Sequence, residues 1–83
     1  MNIQSFPNLE NMQVALLRVD LYLGIAKDSN LNNLSNVNED SFSIFESIED
    51  ATKYAELFVE EYDFIECFIY NNVKNIIKHI QPK

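Results

Sequence analysis

Two side chains in this sequence of 83 residues are of types that can perform nucleophilic chemistry, because it contains one cysteine, Cys67, and one histidine, His79. A cysteine nucleophile needs a base within hydrogen-bond reach and a lowered pKa that favours the thiolate. Cys67 instead lies among Ile65, Phe68 and Ile69, an apolar setting that raises the pKa. One histidine and one cysteine also cannot complete a closed zinc site. We therefore expect no enzyme activity, no metal centre and no cofactor.

Residues 27–40 have a spacing that is typical of calcium binding. Oxygen-bearing side chains stand at positions 1, 3, 5, 9 and 12 of an EF-hand loop, namely Asp28, Asn30, Asn32, Asn36 and Glu39. The match is partial, because Asn33 replaces the required glycine and only the two end positions are charged. The same residues are rich in Asn, Asp and Ser, whose side chains bond to nearby backbone, so we predict an Asn-rich loop. Weak calcium binding by this loop is a minor alternative function.

The distribution of charge is the most informative feature of the sequence. The chain has 13 acidic and 6 basic residues and a net charge of −7, yet residues 39–66 alone contain ten acids and one base. Residues 67–83 contain three lysines and no acid. A concentrated negative field attracts a basic protein surface, whereas a solvated acidic helix face that only keeps the protein soluble would give the same pattern. The candidate partner-binding residues are Glu49, Glu56, Glu60, Glu61, Asp63 and Glu66.

Residues 47–62 have the clearest helical pattern. Ser47 is a suitable N-cap, Glu49 and Asp50 favour the positive end of the helix dipole, and Asp50 completes an approximate capping box. Apolar side chains recur with a period of 3.6 on one face and charged side chains on the other: Ile48, Ala51, Tyr54, Ala55, Phe58 and Tyr62 against Glu49, Lys53, Glu56 and Glu60. The pattern predicts an amphipathic helix whose outer face is acidic.

Residues 15–25 alternate strictly, and this alternation favours a strand. Every odd position is apolar: Leu17, Val19, Leu21, Leu23 and Ile25 would face a core. A helix over residues 8–26 stays open as an alternative, because apolar residues also recur at helical spacing and Asn8 could cap it. Such a helix would be apolar on nearly every side in a chain too short to bury it, so we favour the strand.

Three further segments complete the predicted elements. Residues 41–46 alternate as a short strand, and residues 64–70 are rich in the β-branched and aromatic types that strands favour. Asn71-Asn72 can form a tight hairpin turn. Residues 73–80 fit both a helix and a hairpin strand, and the turn chemistry favours the strand.

The predicted fold is α+β, a small antiparallel sheet of about four strands in the order β-β-α-β-β with one helix packed on one face, in one acidic domain over residues 1–83. A helical N-terminal segment could cover the other face. Otherwise that face is exposed and aromatic, and such a patch favours association. The alternative function is therefore a structural or regulatory subunit that forms a homodimer through an aromatic sheet face, made of Tyr22, Phe45, Phe64, Phe68 and Tyr70.

The composition also narrows the classes of partner. At net charge −7, nucleic acid and anionic lipid repel the chain. Residues 14–26 contain Arg18 and Asp20 and are too few to cross a membrane, and the neutral start, broken at Pro7, is unlike a secretory signal, so we expect a cytoplasmic protein. A chain this small has little room for a substrate cleft. The sequence predicts a non-enzymatic acidic protein-binding module, an inhibitor or immunity-type protein that occludes the basic surface of a nucleic-acid-handling partner.

Overall fold

A computed structural model describes residues 3–83 as five strands, one helix and a short 3-10 turn at Glu39–Ser41. The fold is α+β with an antiparallel sheet, as predicted. The elements in chain order are β1 (Val14–Asp20), β2 (Ala26–Lys27), β3 (Ser43–Phe45), α1 (Ile48–Glu61), β4 (Ile65–Tyr70) and β5 (Ile76–Ile80).

The sheet is built around β1 and β4. These strands pair antiparallel, with Ala15 opposite Tyr70 at one end and Asp20 opposite Ile65 at the other. β5 pairs with the outer side of β4 and forms one edge of the sheet. The other edge is shared, because β3 pairs with the first half of β1 and β2 with its second half. β1 therefore lies in the interior of the sheet.

β1 is a strand, as we favoured, but it ends at Asp20 and not at residue 25. The carboxylate of Asp20 ends it, because Oδ1 accepts hydrogen bonds from the backbone N–H groups of Tyr22 and Leu23, both at 2.9 Å. Gly24 completes the reversal with φ at +68°, a left-handed conformation that glycine adopts without strain. The chain then returns as β2, with the N–H of Asp20 donating to the carbonyl of Ile25 at 2.8 Å. The alternation of apolar residues continues through this turn, so it gave no signal of the strand end.

The helix covers one face of the sheet through small side chains. Ala51 and Ala55 are fully buried against the sheet and allow the helix backbone to approach closely. Ser47 is the N-cap as predicted, and its Oγ accepts a hydrogen bond from the N–H of Asp50 at 3.1 Å. The buried residues of this helix-side layer are Val14, Leu16, Ala51, Ala55, Val59, Ile65, Cys67 and Ile69.

The opposite face of the sheet is covered as well, so the prediction of an exposed aromatic face is wrong. Phe6 from the N-terminal segment packs edge to face on Phe42 and Tyr70, with ring centroids 5.0 and 5.6 Å away. Within residues 3–83 this cover contains no α-helix; it consists of the N-terminal segment and the loop before β3, which includes the 3-10 turn at Glu39–Ser41. This second layer buries Ala15, Leu17, Val19, Ala26, Val37, Phe42 and Tyr70, with Phe6, Leu9, Leu34 and Phe68 packed against them.

Residues 76–80 form a strand that pairs with β4 in a hairpin, so the alternative of a helix over residues 73–80 is wrong. The turn is longer than an Asn71-Asn72 pair. The Oδ1 atom of Asn71 accepts from the N–H groups of Val73 and Asn75 at 3.0 Å each, and Lys74 takes a left-handed φ of +66°. The register also slips by one residue near Tyr70, which leaves Ile77 without a partner on β4.

We expect Phe42→Ala to lower the free energy of unfolding by about 3–5 kcal/mol, because it removes the central ring of the second layer and leaves a cavity. Ile44→Ala is the matched control, since Ile44 is two residues away and about half exposed; its cost should stay below about 1 kcal/mol. Urea denaturation followed by circular dichroism measures both. Equal costs for the two variants would contradict the assignment of the N-terminal segment and the loop as a second core layer.

Candidate protein-binding surface

Cys67 and His79 lie on opposite faces of the β4–β5 hairpin. Cys67 is fully buried under the helix and stands opposite Ile80, whereas His79 stands opposite Phe68 and its ring stacks on Phe68 with centroids 4.3 Å apart. Burial raises the pKa of the Cys67 thiol to about 12. The two groups therefore do not form a nucleophile and base.

Glu66 belongs with His79 and not with the acids of the helix. Its Oε1 accepts a hydrogen bond from Nε2 of His79 at 2.5 Å and a longer one from Gln81 at 3.4 Å. In β4, Glu66 alternates with Ile65 and Cys67, which face the helix, so its side chain points to the second layer. The prediction that Glu66 shares a surface with the other five acids is wrong, because its partner is thirteen residues away in a strand that the sequence left ambiguous.

The carboxylate of Asp28 is used within its own loop. Its Oδ1 accepts from the backbone N–H groups of Asn30 and Asn32, both at 2.9 Å, and its Oδ2 accepts from the side-chain amide of Asn32 at 3.1 Å. The hydrogen bonds from Asn32, followed by the one from Asn30, lower the pKa of Asp28. Asp28 therefore organises a turn, as Asp20 does at the end of β1.

Lys27 binds two oxygen atoms of this loop. The Nζ atom of Lys27 donates to Oδ1 of Asn33 at 2.7 Å and to the carbonyl of Leu31 at 3.4 Å, and it lies 4.0 Å from the carboxylate of Asp20. Across residues 3–83, no cluster of three or more His, Cys, Asp or Glu side chains has the geometry to hold a metal ion. The geometry gives no support to the minor alternative of a calcium loop.

Arg18 is the most unusual residue in the helix-side layer. It is only 2% exposed, its Nη1 donates to Oγ of Ser43 at 3.0 Å and to the hydroxyl of Tyr54 at 3.4 Å, and its Nε has no partner among the described residues. Its guanidinium lies 5.9 Å from the centroid of Phe58. Aromatic rings partly offset the cost of a buried cation. Within residues 3–83, no carboxylate lies within salt-bridge distance of Arg18.

Five aromatic rings form a row beside Arg18 along the helix: Phe45, Tyr54, Phe58, Tyr62 and Phe64, with successive centroids 4.9–6.3 Å apart. Phe45 and Phe64 were predicted on the opposite sheet face. Phe45 stands opposite Val14, whose side chain faces the helix, and side chains directly opposite each other in a sheet share a face.

The other three residues of the predicted dimer face are scattered. Tyr22 is 78% exposed in the turn after β1, Phe68 lies under His79, and Tyr70 is buried in the second layer. The structure therefore does not bring the five predicted aromatic residues together.

The five remaining acids are all exposed on or directly after α1, and together they are called the acidic surface here. Four lie on α1 and Asp63 follows its end, and all five are exposed: Glu49, Glu56, Glu60, Glu61 and Asp63. None of them forms a salt bridge with any residue in the described range 3–83. Lys53 is the one basic residue of α1 and is exposed among these acids, but it lies outside salt-bridge distance of each of them.

A groove of about 740 Å³ runs beside the acidic surface, between α1 and the residues that end and follow β5. Three acids and one lysine line its helix wall, namely Glu56, Glu60, Asp63 and Lys53, and Lys83 lines the opposite wall. Leu57, which is 61% exposed, supplies apolar area. The full lining is Lys53, Glu56, Leu57, Val59, Glu60, Asp63, Ile80, Gln81, Pro82 and Lys83.

Sequence reasoning missed Leu57 and the groove. Leu57 stood in the sequence as an apolar residue next to the charged positions of the predicted helix, and that was the available signal. The other wall comes from residues more than twenty positions away, so the groove itself has no local pattern.

Comparison with known proteins finds no family model that matches the chain, and no curated protein or solved structure that is similar to it. Within residues 3–83, no helix is long and apolar enough to cross a membrane. The function is therefore inferred from the surface of this chain alone.

We expect Cys67 to resist an aromatic disulfide reagent at about pH 8 in the folded protein and to react at once in denaturant, because its thiol is buried and protonated. The raised pKa also implies that the free energy of unfolding falls as the pH rises above about 8.5, where only the unfolded thiol ionises. Comparison with Cys67→Ala isolates this contribution. Rapid labelling of the folded protein would contradict the assigned burial.

We expect calcium at about 1 mM to leave the amide resonances of residues 28–39 unchanged, because the carboxylate of Asp28, the first ligand position, already accepts hydrogen bonds from Asn30 and Asn32. A titration followed by two-dimensional NMR measures this. Saturable shifts confined to these residues would instead establish a weak calcium site.

Proposed function

We propose that the protein is a non-enzymatic binding module whose acidic surface meets a basic surface on another protein. The observation that supports this most directly is the combination of five exposed carboxylates, none of them in a salt bridge within residues 3–83, with a groove lined by the exposed Leu57. Charged groups at the rim of an interface steer encounter, while an apolar centre supplies the contact that holds the complex.

The placement of the acids supports binding over solubility. Glu60 and Glu61 lie in the last turn of α1, where the helix dipole is negative, and that turn contains no basic residue. Glu56 and Glu60 are one turn apart and repel each other. Charge that served solubility alone would not need positions that destabilise the helix. A basic partner would relieve both penalties on binding.

The partner class follows from the sign and density of the charge. A protein that binds nucleic acid presents lysine and arginine to phosphate, and a concentrated set of carboxylates can occupy the same groups. We therefore propose an inhibitor or immunity-type role, in which the acidic surface occludes such a site. We place this role in the cytoplasm, where a single thiol such as Cys67 stays reduced.

The alternative function is a homodimer formed through an aromatic sheet face. The five residues predicted for that face lie in three different parts of the molecule, so they do not provide one shared surface. Solubility as the sole role of the acids remains the competing hypothesis. The charge-reversal experiment that follows separates it from binding.

We expect Glu56→Lys/Glu60→Lys/Glu61→Lys to abolish capture of the natural partner while making the protein more stable to urea. Stability should rise because lysine in the last turn of a helix favours the dipole. The immobilised protein would be exposed to extract from its source cells at about 0.1 M and about 1 M salt, between which the Debye length falls from about 10 Å to about 3 Å. Wild-type capture should be strong only at the lower salt concentration.

The matched control is Glu10→Lys/Glu39→Lys/Asp40→Lys, which makes the same change in net charge away from the helix. It should retain the partner. Capture that survives both the helix variant and high salt would mean that the acids have no part in binding. Loss of the partner in both variants would mean that total charge matters and the surface does not.

A further inference from the structure

The turn between β1 and β2 holds two large apolar side chains in solvent. Tyr22 is 78% exposed and Leu23 is 64% exposed, although both directly follow a strand that is buried along its whole length. Isolated apolar residues are common on protein surfaces, so exposure alone does not indicate a contact. The structure of the turn and its surroundings distinguish this pair.

The backbone of the turn is held by a set of short hydrogen bonds. The N–H groups of Tyr22 and Leu23 donate to Oδ1 of Asp20, both at 2.9 Å. The N–H of Gly24 donates to the carbonyl of Asp20 at 2.9 Å, and the N–H of Asp20 donates to the carbonyl of Ile25 at 2.8 Å. Asp20 is itself buried. Side chains presented by a backbone that is already fixed lose less conformational entropy on binding, and this preorganisation increases affinity.

The turn lies beside the end of α1. The N–H of Leu21 donates to the carbonyl of Phe64 at 2.7 Å, so the turn is bonded to the segment that joins α1 to β4. Asp63 directly precedes Phe64, and Glu60 and Glu61 are the last two residues of α1. All three carboxylates are exposed. The apolar pair is therefore next to the part of the acidic surface at the end of the helix.

The two segments that meet here contribute no exposed positive charge. Residues 19–26 and 60–66 contain no lysine, arginine or histidine. Arg18 and Lys27, which flank the first segment, are both buried. An apolar centre with charged groups around it is the usual arrangement of a protein interface, and tyrosine is among the residue types that contribute most binding energy there. The partner that fits is a protein with an apolar pocket inside a basic surface.

We propose that Tyr22 and Leu23 anchor the basic partner by entering an apolar pocket on its surface. The carboxylates of Glu60, Glu61 and Asp63 then pair with lysine or arginine around that pocket. This inference rests on the proposed function and deepens it, because it names the contact that the charges surround. Salt screens the attraction of the carboxylates and does not screen the apolar contact, so the two contributions can be measured separately.

A photoreactive side chain in the turn tests the contact directly. The protein with p-benzoylphenylalanine in place of Tyr22 would be produced in its source cells and irradiated, and the adducts would be identified by mass spectrometry. Met12 is the matched control site, because it is 74% exposed in the turn before β1, at the other end of the strand. We expect residue 22 to give one main adduct, with a basic protein, and residue 12 to give none. No adduct at residue 22, equal adducts at both sites, or an adduct with a second copy of this chain would overturn the proposal.

Calorimetry with the cross-linked protein, purified after its identification, measures the two contributions. Tyr22→Ala/Leu23→Ala should weaken binding about 30-fold relative to wild type at both about 0.1 M and about 0.5 M salt. Glu60→Lys/Glu61→Lys should weaken binding far more at the lower salt concentration than at the higher one. Met12→Ala should bind like wild type, and circular dichroism verifies that every variant is folded.

The two variants also separate this inference from the proposed function. If the acid variant loses affinity while the apolar variant binds like wild type, the proposed function stands and the anchor is wrong. If only the apolar variant loses affinity, the anchor stands and a function based on charge is wrong.

Discussion

The burial of β1 on both faces is the constraint on which the rest of the structure depends. All seven of its residues are buried, although Arg18 and Asp20 are charged. A strand of this kind needs cover on two sides, and the described residues 3–83 contain one α-helix to supply it. The N-terminal segment and the loop before β3 provide the second cover without regular structure. Because α1 packs on the sheet with one face only, its outer face stays in solvent. The five carboxylates and the groove are accessible there.

The buried charges of β1 and β2 are accommodated by neighbours on the helix side of the sheet. Arg18 and Lys27 stand opposite each other, each about 5.9 Å from the centroid of an aromatic ring, Phe58 and Phe64 respectively. Lys27 has loop oxygens and Asp20 nearby, whereas Arg18 has two hydroxyl groups. A buried ion costs several kcal/mol unless its neighbours replace the water it loses. The half-buried aromatic row therefore contributes neighbours to these buried cations, and it includes Phe45 and Phe64 of the predicted dimer face.

Local patterns were sufficient to predict the fold class, the helix with its Ser47 cap and the β4–β5 hairpin, because each depends on residues within a few positions of one another. The end of β1 was missed because a side-chain turn at Asp20 interrupts an alternation that continues in the sequence. The sheet face on which Phe45 lies depends on the register between β3 and β1, and the surroundings of Glu66 depend on its distant partner His79. Neither can be predicted from a local sequence pattern. Helical spacing predicted the exposed positions of Glu49, Glu56 and Glu60, and Glu61 and Asp63 were selected from the acidic tract alone. The groove wall around Lys83 arises only from tertiary structure.

The long-range pairing of β1 has a consequence for how the chain folds. Its partners on β4 are 45 to 55 positions away in sequence, so the central contact of the sheet closes a large loop before it gains any stabilisation. The capped helix and the β4–β5 hairpin are local and can form earlier. Until β1 pairs with β4, the apolar residues of β1 are exposed to solvent, and strand pairing between different molecules competes with correct folding. Refolding yield should therefore depend on protein concentration more strongly than the small size of the chain suggests.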